Sequence, residues 1–175
     1  DMVEQFIGPN IGLWSSHFIC KEPFTGQRTP WHEDIGYWQG RFDSFNNIVT
    51  VWLAIDKATQ ANGCMGVVPG SHKGDPAEYK SIDTGDKIFN LEVLRDDVNE
   101  DDVVWFDLEK NECSFHDSRI IHGANANTSN TRRCGYTMRY FSLDMKFERK
   151  HPHNQTHKIY YCRGKNNGNN PLIHL

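Results

Sequence analysis

The sequence predicts an all-β, β-rich fold, a sandwich or barrel of short strands, and three observations carry that expectation. Fourteen glycines and seven prolines in 175 residues supply many tight turns. An apolar content of 37% is modest for a helical bundle. Short runs rich in β-branched and aromatic side chains recur with turn signals between them.

The elements follow in order. "IGLWSSHFICKEP" reads as a short apolar strand, and "FTGQRTP" as a loop punctuated by Gly26 and Pro30. Within "NNIVTVWLAID", residues 47–56 read as a strand. Asn62-Gly63 is a turn signal, Cys64 to Val68 a short run, and Pro69-Gly70-Ser71 a second turn. From Lys73 to Asp102 the chain is polar, with the acidic cluster "DDVNEDD", and reads as a solvated excursion. "VVWFDLE", "CSFHDSRIIHGA" and "RRCGYTMRYFSL" are three more strand-like stretches. The tail from Lys146 is polar and irregular apart from "KIYYCRG". Several short strands at regular spacing indicate a sandwich or barrel.

The length fits one domain, residues 1–175, and the start at Asp1 without an initiator methionine leads us to expect a missing N-terminal segment. A net charge of -4 with dispersed basic residues argues against nucleic acid. Runs such as "IVTVWLAI" fall far short of the ~20 apolar residues that cross a bilayer, so no membrane partner is expected. Five cysteines without a CxxC pair suggest reduced, structural thiols in a soluble cytoplasmic protein.

The chemistry starts at "TPWHEDIGYW", residues 29–38. If this is a strand, His32 and Asp34 share a face while Glu33 points away. An imidazole and a carboxylate so placed can occupy adjacent positions on one metal ion. A second histidine would complete the two-histidine, one-carboxylate face that leaves three positions open on non-haem Fe(II). His72 lies in a turn, and His151, His153 and His157 lie in the polar tail, where the HxH pair is the kind that can begin a cupin-type site. His122 ends the apolar run "RII" before Gly123 and is placed to project into a barrel mouth. Arg133 opens the next strand, and a guanidinium inside a barrel calls for a carboxylate. A dicarboxylic cosubstrate chelating the metal at one end would supply it, although a surface position for Arg133 is the plainer reading of that residue alone.

Taken together, "WHEDIGYW", "VTVWLAIDKATQANGCMGVVPGSHKG" and "FHDSRIIHGANANTSNTRRCGYTMRYFS" resemble the phytanoyl-CoA dioxygenase family of Fe(II)- and 2-oxoglutarate-dependent oxygenases. The resemblance runs from about Ile11 to Phe141 and rests on HxD, then "NGC…PGSH", then HG with an arginine eleven residues beyond that histidine. It implies a double-stranded β-helix, a cupin-like jelly roll, with Fe(II) on His32, Asp34 and His122. It further implies 2-oxoglutarate on Arg133, a cosubstrate pocket lined by Trp52, and a contact from His17, where relatives can carry methionine. Asp34 disfavours the related halogenases, which have a small residue there, so hydroxylation of a C–H bond of a small-molecule substrate by O₂ is the implied reaction.

Substrate choice is open. Tyr37, Trp38 and Arg41 follow the HxD, and His116 and Ser118 share strand parity with His122, so each could face substrate or pack in the core. Arg41 or Arg139 could pair with an acidic substrate group. Two other classes stay open: a non-redox cupin-like isomerase or hydrolase, and a ligand-binding jelly roll without catalysis.

Overall fold

The computed structural model describes residues 1–83, 89–94 and 98–174. Two facing sheets dominate. A short helix α1 (Glu4–Ile7) precedes β1 (Ile11–Lys21), β2 (Thr29–His32), a second short helix α2 (Ile35–Trp38), β3 (Ile48–Ala54) and β4 (Met65–Val67). There follow β5 (Tyr79–Ser81), β6 (Leu91–Val93), β7 (Val104–Trp105), β8 (Cys113–Asp117), β9 (His122–Ala124), β10 (Arg133–Ser142), β11 (Ile159–Arg163) and β12 (Leu172–Ile173). The larger sheet has the order β12-β11-β1-β10-β3-β8, the smaller β2-β9-β4-β7, and β5-β6 is a separate pair. This is the expected jelly roll: strands close in sequence alternate between the two sheets.

Strand alternation explains how the large sheet serves two purposes. Thr50 and Trp52 of β3, His116 of β8, and Arg133, Thr137 and Arg139 of β10 line a cavity facing the smaller sheet. Their neighbours Val49, Phe115 and Tyr140 pack on the other face with Ile7 and Ile11. One core gathers Trp14, Trp38, Phe42, Ile48, Phe141, Leu143, Met145, Phe147 and Ile159, and a second gathers Trp52, Ala54, Ala58, Cys64 and Met65. Gly135 stands beside Trp52, and a β-carbon there would run into the indole. The glycine thus makes room for the ring between Arg133 and Thr137.

Three expectations are corrected. The 73–102 segment is not simply a solvated excursion. Its β5 and β6 fold back over the HxD stretch, where Tyr79 donates to the buried Glu33 carboxylate and the Ala77 N–H donates to the same oxygen at 3.2 Å. Part of that segment, including positions 84–88 and 95–97 of "DDVNEDD" and its approach, lies outside the described residues.

The polar tail is ordered by buried polar contacts where hydrophobic periodicity gave no signal: Asn154 is fully buried and its amide donates to the carbonyls of Arg41 and Glu148. Finally, the expectation of reduced thiols fails at one pair, since Cys20 and Cys134 form a disulfide. They are separated by 114 residues yet stand opposite each other in the β1–β10 register, with Cα atoms 4.1 Å apart. Cys64, Cys113 and Cys162 are free.

Replacing Gly135 with alanine should force Trp52 out of place and cost about 1–3 kcal/mol, as overpacked cores do. Urea unfolding of the purified variant would show an unchanged midpoint if that contact were unimportant.

Candidate metal centre

Pairing of β2 with β9 sets His32 directly opposite His122, with ring centroids 4.3 Å apart. The same device orients both rings. His32 Nδ1 lies 2.7 Å from the Pro30 carbonyl and His122 Nδ1 lies 2.9 Å from the Ile120 carbonyl. A carbonyl only accepts, so each Nδ1 carries the proton and each Nε2 keeps its lone pair for a metal. Such carbonyl partners fix tautomer and orientation together.

Asp34 reaches the same place by a different route from the one expected. Strand β2 stops at His32, and Asp34 begins a helical turn with φ -56° and ψ -36°. The Ile35 N–H donates to the Ser118 carbonyl at 3.1 Å, which ties this turn to the loop before β9. Ligand atoms of His32, Asp34 and His122 all lie within 4.8 Å of one another, and all three residues are buried. Thr50 donates to Asp34 Oδ2 at 3.3 Å and the Arg139 guanidinium stands 3.5 Å from Oδ1.

The electrostatics suit a cation. Burial, with His122 adding repulsion, pushes the His32 imidazole down to about 3, and burial does the same to His116. Burial alone would raise the Asp34 carboxyl, but Arg139, His122, His32 and His116 outweigh it and hold it below the usual carboxylate range. A neutral His32 imidazole and an Asp34 carboxylate anion are protonation states that metal binding requires.

A cavity opens beside the three residues, and Arg133 and Trp52 line it. Arg133 is buried, donates through Nε to the Gly63 carbonyl at 2.9 Å, and stacks its guanidinium 5.1 Å from the Trp52 ring centroid. Among the described residues it pairs with no carboxylate. Burial pushes it down to about 10. The sequence reading missed Lys21, which faces Arg133 across the β1–β10 register and is itself buried. Its ammonium donates to the Asn125 carbonyl at 2.6 Å and the Ala124 carbonyl at 3.3 Å, and burial, then Arg133, push it down to about 7. Inward parity with Ile19 along "HFICK" was the available signal.

The other candidates divide. His116 lines the cavity, its ring 4.9 Å from that of His122. Ser118 is fully buried. Tyr37 sets its ring 5.6 Å from His32 and its hydroxyl donates to the Leu91 carbonyl at 3.1 Å, holding β6 close. His17 sits at the exposed mouth and accepts from Arg139 at 3.0 Å through Nδ1, away from the lining that contains Arg133. Trp38 and Arg41 stand outside the cavity lining and take the packing alternative that the sequence left open for both. Trp38 is core, edge-on to Trp14, and Arg41 lies over Trp14 and donates to Asn154 Oδ1 at 2.7 Å. Trp38 closes the helical turn Ile35–Trp38 and Arg41 follows it, so nearness to the HxD in sequence does not carry either side chain into the cavity.

A jelly roll with two histidines and one aspartate converging in its cavity has the donor set of the non-haem metal oxygenases. The family profile described as Phytanoyl-CoA dioxygenase (PhyH) matches residues 1–135. The bovine protein "Phytanoyl-CoA dioxygenase, peroxisomal" is 34% identical over 132 residues, covering 73% of this chain and 38% of that protein. EvdO2 from Micromonospora carbonacea var. aurantiaca, solved complexed with 2-oxoglutarate, is 31% identical at a TM-score of 0.67, over 75% of this chain and 52% of that one. The non-heme monooxygenase ThoJ, in its apo form, shares the fold at a TM-score of 0.79 and 22% identity, over 97% of this chain and 59% of that one. The chain belongs to the phytanoyl-CoA dioxygenase family. It spans less than half the length of the first curated relatives it matches. Among the described residues no helix is long and apolar enough to cross a membrane.

Two predictions follow from these contacts. Tyr79→Phe leaves a buried Glu33 oxygen short of a donor and should cost about 1–3 kcal/mol in urea unfolding. For the metal-free protein, His32 and His116 are displaced from 6.5 in the unfolded chain to about 3 in the fold. Between those values the unfolded chain binds more protons, so stability falls as pH drops through that window, by about 1.4 kcal/mol per unit for each histidine. His116→Leu should flatten the pH dependence by one proton; superimposable slopes for the two proteins would contradict this.

Proposed function

We propose that this chain is the catalytic domain of an Fe(II)- and 2-oxoglutarate-dependent oxygenase that hydroxylates a C–H bond of a small-molecule substrate. The observation that carries the reading is the pairing of the buried His32, Asp34 and His122 group with a buried Arg133 that has no carboxylate among the described residues. Family membership and the 2-oxoglutarate complex of EvdO2 support it.

In this reading His32 Nε2, His122 Nε2 and an Asp34 oxygen hold the iron, and the carbonyls of Pro30 and Ile120 keep the two rings turned to it. Ferrous iron with bound 2-oxoglutarate supplies the oxidising chemistry, which consumes O₂, releases succinate and CO₂ and replaces hydrogen by hydroxyl on the substrate. Arg133 takes the far carboxylate of the cosubstrate, held flat against Trp52 and anchored by the Gly63 carbonyl. The apolar walls from Ile19, Met65, Trp52 and Phe89 exclude water from the reacting centre. His116, neutral and buried beside His122, is proposed to face the substrate side of the cavity.

The proposed unit is a single domain covering residues 1–175. The location read from the sequence is the cytoplasm, whereas the bovine relative carries "peroxisomal" in its description. The buried Arg133 in the same cavity as the metal group, with no carboxylate partner among the described residues, favours this reading over a zinc hydrolase or isomerase and over a non-catalytic binder.

The test is an anaerobic titration of the protein with Fe(II) and 2-oxoglutarate, following the weak visible charge-transfer band of the chelate. His32→Ala and Asp34→Ala should abolish both the band and succinate formation, and normal turnover in either would refute the assignment. Arg133→Gln should keep metal binding and weaken 2-oxoglutarate by about two orders of magnitude, the scale for losing one partner of a buried charge pair. An unchanged apparent affinity would remove Arg133 from the site.

A further inference from the structure

Arg139 is a second guanidinium in the cavity, and the cosubstrate reading leaves it unused. It lines the cavity beside the metal group, its side chain is 14% exposed, and it lies 5.3 Å from the Trp38 ring centroid. Its five N–H bonds are poorly matched. One nitrogen donates to His17 Nδ1 at 3.0 Å, another stands 3.5 Å from Asp34 Oδ1, and the buried Nε has no hydrogen-bond partner. A separation of 3.5 Å is at the weak limit of hydrogen bonding. Once Asp34 shares its charge with a metal, Arg139 is compensated still less.

Position rules out the obvious partner. Arg133 and Arg139 point inward from the same strand, six residues apart, so their Cα atoms are separated by roughly 20 Å. A five-carbon diacid stretched from the metal to Arg133 leaves Arg139 beyond the metal, toward the mouth. The mouth beyond His17 continues as a groove lined by Ser15, Ser16, His153, His157 and Lys158, with no carboxylate in its lining. Formal charge gives the same answer. A divalent iron, two arginines, one aspartate and a doubly charged cosubstrate still leave the loaded cavity positive, before Lys21 is counted.

We infer that Arg139 and His17 form an oxyanion-binding subsite for the primary substrate, which therefore carries a carboxylate or phosphate close to the carbon that reacts. This rests on the oxygenase reading of the same cavity. Anion binding supplies the fork of Arg139 with a planar or tetrahedral partner and orients the rest of the substrate across the metal. Arg139 is then the specificity-determining residue, whereas Arg133 serves the cosubstrate.

The test uses the isotope-labelled, zinc-loaded protein, with and without saturating 2-oxoglutarate, titrated with hexanoate, hexyl phosphate and the neutral hexanamide. The resonances of the Arg139 Nε–H and the His17 ring report occupancy directly. Either anion should give saturable shifts at a concentration at least about tenfold lower than the amide, the scale of a charge-assisted bond. The tighter of the two arms identifies carboxylate or phosphate. Arg139→Gln should erase the preference, and Arg139→Lys should retain more of it for phosphate than for carboxylate, because the ammonium lacks the planar fork. Should Arg139→Gln fail to fold, His17→Leu provides the second variant and should weaken the anion several-fold.

Equal binding of anion and amide, or an anion preference that survives Arg139→Gln, overturns the inference. So does the absence of any saturable shift in the folded wild-type protein. The iron chelate band measured in parallel separates the two readings. A normal band without anion preference overturns this subsite alone. A missing band counts against the oxygenase reading, and the titration without 2-oxoglutarate still decides the subsite.

Discussion

Everything at the metal centre depends on the pairing of β2 with β9, two very short strands whose register sets His32 against His122. Because side chains alternate with a period of two, a slip of one residue would turn one imidazole away from the other. The register is secured on either side of the pair. β9 also pairs with β4, Val67 opposite His122, and the chain after β2 is tied through Ile35 to Ser118. Backbone carbonyls two residues upstream then fix each ring, so strand position and tautomer are set by the same few residues.

The second constraint is charge. The cavity is built around cations: among the described residues its lining holds Arg133 and Arg139 and no carboxylate, and the Asp34 carboxylate beside it belongs to the metal group. Burying Arg133, Arg139 and Lys21 costs solvation free energy that backbone carbonyls recover only in part. Lys21 and Arg133 use the carbonyls of the turns at Ala124–Asn125 and Gly63. These turns carry no charge of their own, which leaves the positive potential available to anionic ligands. The same β10 strand that presents two of these cations outlines the second core through Gly135 and Trp52, so electrostatics and packing are set by one alternating stretch of sequence.

Much of this was legible in the sequence. β-branched runs located β1, β3 and β10, and the histidines and aspartate of the metal group were chosen from residue type and context. The reason given for the pair was mistaken in part: strand parity was invoked for His32 and Asp34, whereas a helical turn carries Asp34 inward. The same turn sent Trp38 into the core and Arg41 over the Trp14 ring. Long-range pairings were beyond reach, because nothing local marks Cys20 as the neighbour of Cys134 or Lys21 as the neighbour of Arg133. Glu33 was correctly turned away from the metal face, but its partner Tyr79 comes from a segment whose polarity concealed its packing.

The fixed imidazoles have a further consequence for how the protein acquires its metal. A donor set organised by folding alone is ready before any ion arrives, and two nitrogens with one oxygen hold copper or zinc more strongly than ferrous iron. Such a site cannot choose iron by affinity. The choice falls to supply: the identity of the bound ion records which metal the surroundings make available when the jelly roll closes.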